Sequence, residues 1–262
     1  MEVNRIYNEN CLETMARMPD VFIDLTVTSP PYDNLRTYNG YSFDFESIAK
    51  ELFRVTKTGG VVVWVVGDAT VNGSETGTSF RQALYFMDCG FRLHDTMIYT
   101  TDKPPQSGSR YEQEFEYMFV FSKGKITTFN PIKRKRKWED KRQEKAYHRN
   151  TGGVLKKKHK VNIDMVSAGN IWYYTTGGGL TTIDGIAFKH PAIYPDKLAS
   201  DHIYSWSNEG DLVYDPFMGS GTTAKMAHLL KRNWIGSEIS PEYVEIAEKR
   251  IRPYLQQQMI EF

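Results

Sequence analysis

The 262-residue sequence holds only two cysteines, Cys11 and Cys89. Two thiols make neither a disulfide framework nor a zinc site, so a hydrophobic core has to hold the fold and no metal is expected. No apolar run is long enough to span a bilayer, and Met1-Glu2-Val3-Asn4-Arg5 lacks the pattern of a secretory leader. The expectation is therefore a cytoplasmic protein without a membrane partner. Net charge is scarce as well: 33 Lys/Arg face 32 Asp/Glu, a balance of +1. One further absence concerns a glycine turn late in the chain. Gly221 runs straight into Thr222 and Thr223, without the lysine that a nucleotide phosphate loop places between glycine and hydroxyl.

What is present starts with an uneven charge distribution. Residues 133 to 160 carry 13 Lys/Arg and 3 Asp/Glu, a net of +10, while the rest carries 20 and 29, a net of −9. So basic a block on an acidic body suits a polyanion; a solvated loop is the alternative. Outside it, strand-like and helix-like runs alternate. Val21–Thr28, Val61–Val66, Phe91–Tyr99 and Phe115–Phe121 are β-branched or aromatic. Cys11–Met18, the stretch from Asp44 to Val55 with its stop at Thr58-Gly59-Gly60, and Ser79–Cys89 have helical spacing. This alternation predicts an α/β fold, a Rossmann-like, mostly parallel mixed sheet with helices on both faces.

Two strand ends carry the chemistry. Leu212-Val213-Tyr214 runs into Asp215-Pro216-Phe217-Met218-Gly219-Ser220-Gly221-Thr222-Thr223, and Met226, Leu229 and Leu230 then recur at helical spacing. Strand, glycine turn and helix in this order build a small-molecule crevice; a turn whose glycines serve packing alone is the alternative. About 20 residues on, Trp234-Ile235-Gly236-Ser237-Glu238 ends a strand in a carboxylate, suited to a pair of ribose hydroxyls. In the helix after Ser240-Pro241, Glu242 and Glu245 come early and Lys249 and Arg250 late, matching the helix dipole. The other end follows Val21–Thr28. There Ser29-Pro30-Pro31-Tyr32 forms a stiff, donor-free bend flanked by a hydroxyl and an aromatic face. Acceptors for an exocyclic amine and a ring to stack on are what a planar base needs.

Together the two motifs resemble those of DNA amino-methyltransferases, from Asn10 to Ile251 apart from the basic block. Ser29-Pro30-Pro31-Tyr32 is similar to the catalytic motif of that family, and Asp215–Thr223 to its cofactor loop. The catalytic motif coming first resembles the permuted, beta-class order. The resemblance implies S-adenosylmethionine as cofactor, double-stranded DNA as partner, and Ser29, Pro30, Pro31 and Tyr32 as catalytic residues. It implies a cofactor site of Asn10, Lys197, Asp215, Pro216, Phe217, Gly219, Ser220, Gly221, Thr222 and Glu238. Asn10 departs from the family's aspartate, and Lys197 lies in His190–Ala199, similar to the family segment that encloses the methionine end. It further implies a catalytic domain of residues 1–123 and 190–262 and a target-recognition insertion of 124–189. DNA-contacting candidates there are Lys133, Arg134, Lys135, Arg136, Lys137, Arg142 and Arg149. A homodimer and a cognate restriction endonuclease are further partners that it leaves open.

The expected reaction is direct methyl transfer to the amine of a flipped-out base. Neither cysteine follows a proline, which disfavours a C5-cytosine enzyme with its Pro-Cys nucleophile. Serine at the first motif position resembles N4-cytosine enzymes more than N6-adenine ones. An adenine enzyme, a catalytically silent DNA-binding module and an RNA methyltransferase remain open. Asp33–Phe45, with Tyr38, Tyr41, Phe43 and Phe45, reads either as a loop closing over the base or as aromatics packed on the body.

Overall fold

The computed structural model describes residues 1–31, 43–100, 111, 113–135, 147–149, 152–153, 155–157, 165–177 and 179–257. The chain divides into two units, Met1–Asn130 with Asn170–Phe262, and Pro131–Gly169.

An eight-stranded sheet forms the larger unit. Its strands are β1 (Arg5–Tyr7), β2 (Ile23–Thr28), β3 (Thr56–Val66), β4 (Arg92–Thr100), β5 (Phe115–Ser122), β6 (Ile171–Tyr173), β7 (Leu212–Asp215) and β8 (Asn233–Ser237). Their spatial order is β1-β8-β7-β2-β3-β5-β4-β6. Strands β1, β8, β7, β2 and β3 are mutually parallel, β5 runs against both β3 and β4, and β6 is parallel to β4. Among the described residues, six α-helices accompany the sheet: α1 (Cys11–Ala16), α2 (Phe45–Val55), α3 (Thr78–Asp88), α4 (Asp196–Trp206), α5 (Thr222–Leu229) and α6 (Pro241–Gln257).

The valine run in β3 shows why the sheet has two covered faces. Val61, Val63 and Val65 pack with Leu198, Ile203, Ala224 and Ala247 of α4, α5 and α6. Val62, Trp64 and Val66 pack with Met15, Leu52 and Phe86 of α1, α2 and α3. Alternate residues point to opposite faces, so a strand buried on both sides must be apolar throughout. Asp44 caps α2 by accepting from the Ser47 N–H at 3.2 Å. That helix ends earlier than the Thr58-Gly59-Gly60 stop, because the backbone is already extended at Thr56 and β3 begins there.

The order of strands places a crevice. From β2 the chain crosses by α2 to β3 on one side; from β7 it crosses by α5 to β8 on the other. Crossovers that diverge in this way put α2 and α5 on opposite faces and leave a gap at the carboxyl ends of the neighbouring strands β2 and β7. The Ser29-Pro30-Pro31 bend leaves β2 there, and the glycine turn leaves β7 there.

Among its described residues, the smaller unit contains two short antiparallel pairs. Lys133–Lys135 pairs with Met165–Ser167, and Tyr147–Arg149 pairs with Leu155–Lys157. Residues 124–130 and 170–189 belong to the larger unit.

Candidate functional site

Asp215 is the last residue of β7, immediately before the turn, and the hub of the site. Its side chain is buried, and both carboxylate oxygens are engaged. Oδ1 accepts from Thr28 Oγ1 at 2.6 Å and from the Phe217 N–H at 3.0 Å. Oδ2 accepts from Thr223 Oγ1 at 2.6 Å and from the Tyr194 hydroxyl at 3.5 Å. Tyr194 is also in close hydrogen-bond contact with Thr223. Burial raises the Asp215 pKa, and these donors act against that rise. One carboxylate thus ties the last residue of β2, the turn after β7 and the first turn of α5 together. Ser29 follows Thr28 directly, so the two sequence motifs are joined through a single covalent step and a hydrogen bond.

The glycines owe their place to backbone and packing. Gly219 and Gly221 have φ of +50° and +81°, the left-handed region that favours glycine. A Cβ on Gly219 would stand 3.0 Å from His190 Nε2, and one on Gly221 would stand 3.0 Å from the Cβ of Ala247 in α6. Gly236, on the adjacent strand β8, lets Met218 lie against the sheet, for a Cβ there would collide with Met218 Cε at 2.2 Å. Backbone conformation at Gly219 and Gly221 and close approach by the chain's own side chains at all three positions thus favour glycine without any ligand.

Glu238 leaves β8 on the other side of the turn's strand. Its Oε2 accepts from the Gly219 N–H at 2.8 Å, and its Oε1 from the Ser240 N–H at 2.9 Å. Each oxygen keeps a second lone pair, as a bidentate bond to two vicinal hydroxyls demands. The residue is held further by Asn8, whose side-chain amide donates to the Glu238 carbonyl at 2.8 Å. Burial raises the Glu238 pKa, with the Ser240 and Gly219 N–H groups opposing. A buried carboxylate beside a glycine turn at parallel strand ends fits a nucleoside cofactor with a free ribose.

The remaining sequence-derived candidates are placed as follows. Asn10 caps α1, accepting from the Leu12 N–H at 2.9 Å. The Phe217 ring meets Phe43 and Trp64 at centroid distances of 5.7 and 6.2 Å. Ser29 is half-buried and Pro30 is buried at the end of β2, next to Pro31. Lys197 lies on the outside of α4, paired at 2.8 Å with Asp201 of the same helix. Phe43 and Phe45 pack on the aromatic core through Phe217, Trp64 and Phe86. Tyr32, Tyr38, Tyr41, Arg136, Lys137 and Arg142 lie outside the described residues, and of Arg149 only the strand position is described. Lys133 and Lys135 are exposed, with Arg134 between them half-buried.

Sequence reasoning missed one cluster completely. Lys225 in α5 donates to Asp184 Oδ2 at 2.6 Å and to Asp196 Oδ2 at 2.8 Å. Arg250 in α6 donates to the same two carboxylates, at 2.8 and 2.5 Å. Its side chain has no exposed surface and is spent on ion pairs, so it does not serve as the late, dipole-matching cation that its sequence position suggested. Helix α6 runs on to Gln257, which puts Arg250 well before the last turn. The signal was present: Arg250 follows Ile246 by four residues and Ala247 by three, on the apolar face of the helix.

A family model for DNA methylases of the N6/N4 type matches residues 23–249. The orphan methyltransferase M.BamHII of Bacillus amyloliquefaciens is 59% identical over 241 residues, covering 90% of this chain and 91% of that one. The type II methyltransferase M1.MboII of Moraxella bovis is 29% identical, over 94% of this chain and 96% of that one. Among solved structures, a DNA modification methylase of Thermus thermophilus, TTHA0409, complexed with S-adenosyl-L-methionine, is similar with a TM-score of 0.64 at 25% identity. The match covers 96% of this chain and 95% of that one. The cytosine-N4-specific PvuII DNA methyltransferase shares the fold, with a TM-score of 0.67 at 21% identity, over 96% of this chain and 91% of that one.

Proposed function

The chain belongs to the DNA methylase family, and from that premise we propose that it methylates the N4 amine of a cytosine flipped out of double-stranded DNA. S-adenosylmethionine is the cofactor, and when bound it supplies an electrophilic methyl group. The observation that carries the proposal is serine at the head of the catalytic motif, held next to Thr28 at the strand end that Asp215 ties to the glycine turn.

The chain's own residues do the rest. Glu238 would hold the cofactor's ribose hydroxyls, and the turn from Asp215 to Thr222 would supply the rest of its binding surface. Tyr32 stacks on the extruded base. The Ser29 hydroxyl and the Pro30 carbonyl accept the two N–H bonds of the amine. Accepting hydrogen bonds from them draws the nitrogen lone pair out of conjugation with the ring, which makes it a nucleophile for in-line transfer. The nitrogen would gain the methyl group and lose one N–H proton to water, with the demethylated thioether as leaving group. Positioning supplies the acceleration, and no covalent enzyme intermediate forms. Extrusion of the base costs a few kcal/mol, about the unstacking of one step. The basic segment supplies phosphate contacts through Lys133 and Lys135, with Arg134 as a candidate for base edges. The orphan naming of the M.BamHII relative supports action without a cognate endonuclease.

The test is to incubate unmethylated DNA with methyl-labelled S-adenosylmethionine, digest it to nucleosides and identify the labelled one. N4-methylcytosine is the expected product. Label in N6-methyladenine alone would overturn the choice of base, and label in RNA but not in DNA would overturn the choice of nucleic acid. Ser29→Ala and Tyr32→Ala should each abolish methylation while cofactor binding, followed by calorimetry, persists.

A further inference from the structure

The buried ionic cluster lies directly behind the glycine turn, and its bonds do not stop at its own charges. Arg250 Nη1 donates to the Ser220 carbonyl at 3.1 Å, to Ser220 Oγ at 3.1 Å and to Thr222 Oγ1 at 2.9 Å. Its Nε and Nη2 are spent on Asp184, Asp196 and Thr182. The guanidinium fork is thereby saturated, and its direction is fixed by two carboxylates that belong to other elements. Asp184 precedes the 3₁₀ turn at Gly185–Lys189, and Asp196 opens α4. Lys225 joins the same two carboxylates from α5, and the Tyr254 hydroxyl donates to Asp184 Oδ1 at 2.7 Å.

Two cations and two anions make the cluster neutral. A buried, balanced set of charges adds little net stability compared with apolar side chains of the same volume, because desolvation offsets the attraction. What it does supply is direction. The turn at 219–222 is gripped at Gly219 by Glu238 and at Ser220 and Thr222 by Arg250. With both grips in place, the turn's remaining polar groups have one orientation before any ligand arrives.

We propose that Arg250, aimed by Asp184 and Asp196, is a positioning residue for the methyl donor: it holds the 219–222 turn in its binding shape. This rests on the reading of that turn as the S-adenosylmethionine site. The consequence is a loss of donor affinity when Arg250 changes, with turnover at saturating donor nearly kept. Lysine cannot replace it, since an ammonium is a point charge without the planar fork that spans three acceptors on the turn and two carboxylates behind it.

The experiment measures S-adenosylmethionine affinity by calorimetry, KM for the donor, kcat on DNA and the thermal midpoint for the full chain, four single variants and the Thr222→Val/Arg250→Lys double variant. Arg250→Lys should weaken donor binding by about tenfold or more, the size expected for losing hydrogen bonds to a charged group, with KM rising in step and kcat within about twofold. Thr222→Val and Ser220→Ala each remove one side-chain acceptor on the turn, leave the Ser220 carbonyl in place and should each weaken binding by about threefold or more. Thr222→Val should add little on top of Arg250→Lys, since the Arg250–Thr222 bond it removes is already lost there. Unchanged donor affinity in Arg250→Lys with a lowered midpoint would make the cluster a brace of the fold and overturn the proposal. So would a fall in kcat at saturating donor matching the fall in affinity. Should Arg250→Lys fail to fold, Thr222→Val and Ser220→Ala decide: unchanged affinity in both overturns it. Glu238→Ala is the fourth variant and separates the premise. If it binds the donor as well as the wild type does, the turn is not the donor site and the inference goes with it.

Discussion

At the scale of single residues, the site is governed by carboxylates with every oxygen occupied. Asp215 shows the consequence most directly. Thr28→Val keeps the shape of the side chain but withdraws a 2.6 Å bond from a buried oxygen. Leaving a buried acceptor short of a donor should cost about 1–3 kcal/mol of stability, measurable in urea unfolding. It should also lower kcat more than donor affinity, because the bond joins the Ser29 bend to the turn. Glu238 carries a second prediction. Burial lifts its pKa above the usual glutamate range, so it takes up a proton at a higher pH than an exposed glutamate would. Donor affinity, followed by calorimetry across pH, should therefore fall as pH drops through that raised value. A Glu238→Gln variant should bind weakly at every pH without that step.

Asp184 has the opposite sign. Burial pushes its carboxyl up, but hydrogen bonds from Arg250, Lys225 and Tyr254 outweigh this and hold it at about 2, against an ordinary 3.8. A carboxylate depressed in the folded state contributes stability above its unfolded pKa, and that contribution is lost as pH falls through the folded value. Between pH 4 and pH 2, roughly the interval between those two values, the wild type should lose more stability than Asp184→Asn. Melting midpoints of the two across that range are the measurement.

At the scale of elements, the start of α5 depends on a close approach to α6. Gly221 has φ +81° and no room for a Cβ beside Ala247 and Ile251, whereas Gly210 has φ +86° with open space around it. Alanine at Gly210 should cost only the left-handed strain, about 1–2 kcal/mol. Alanine at Gly221 should cost more by the displacement of α6, and should weaken donor binding because α6 carries Arg250. Denaturation midpoints of the pair isolate the packing share. The sequence showed these elements to different degrees. The Val61–Val66 run and the Asp44 cap were legible because patterning and capping are local. Strand β6, Ile171–Tyr173, was not: three residues carry no usable period, and only pairing with β4 makes them a strand. Lys225, a lone cation just before Met226 in the sequence, is buried and paired with both Asp184 and Asp196.

At the scale of the whole molecule, the charge is divided as the chain is divided. The net +10 of residues 133–160 falls within Pro131–Gly169, a unit of its own, while the acidic remainder holds the cofactor-side residues. Binding to duplex DNA should therefore fall steeply with salt. Replacing the exposed Lys133 and Lys135 together by alanine should reduce the slope of log K against log[salt] by about 2, close to 0.9 per phosphate contact. A slope left unchanged would remove those two lysines from the interface.

The sequence by itself determined the fold class, the two motifs and their order, because strand patterning, a Pro-Pro bend and a glycine turn are local properties of a few consecutive residues. Only the tertiary structure decided how the motifs meet. Placing β7 beside β2 brings Asp215 to Thr28 across 187 residues of chain. The same folding turns Arg250 inward onto Ser220 and Thr222. Helical spacing marks Arg250 as facing inward, but neither contact's partner has a local signature, since each depends on which strand lies next to which and on which elements cover that helix face. Burial then decides which of the chain's many charges become paired, directional groups and which remain in solvent.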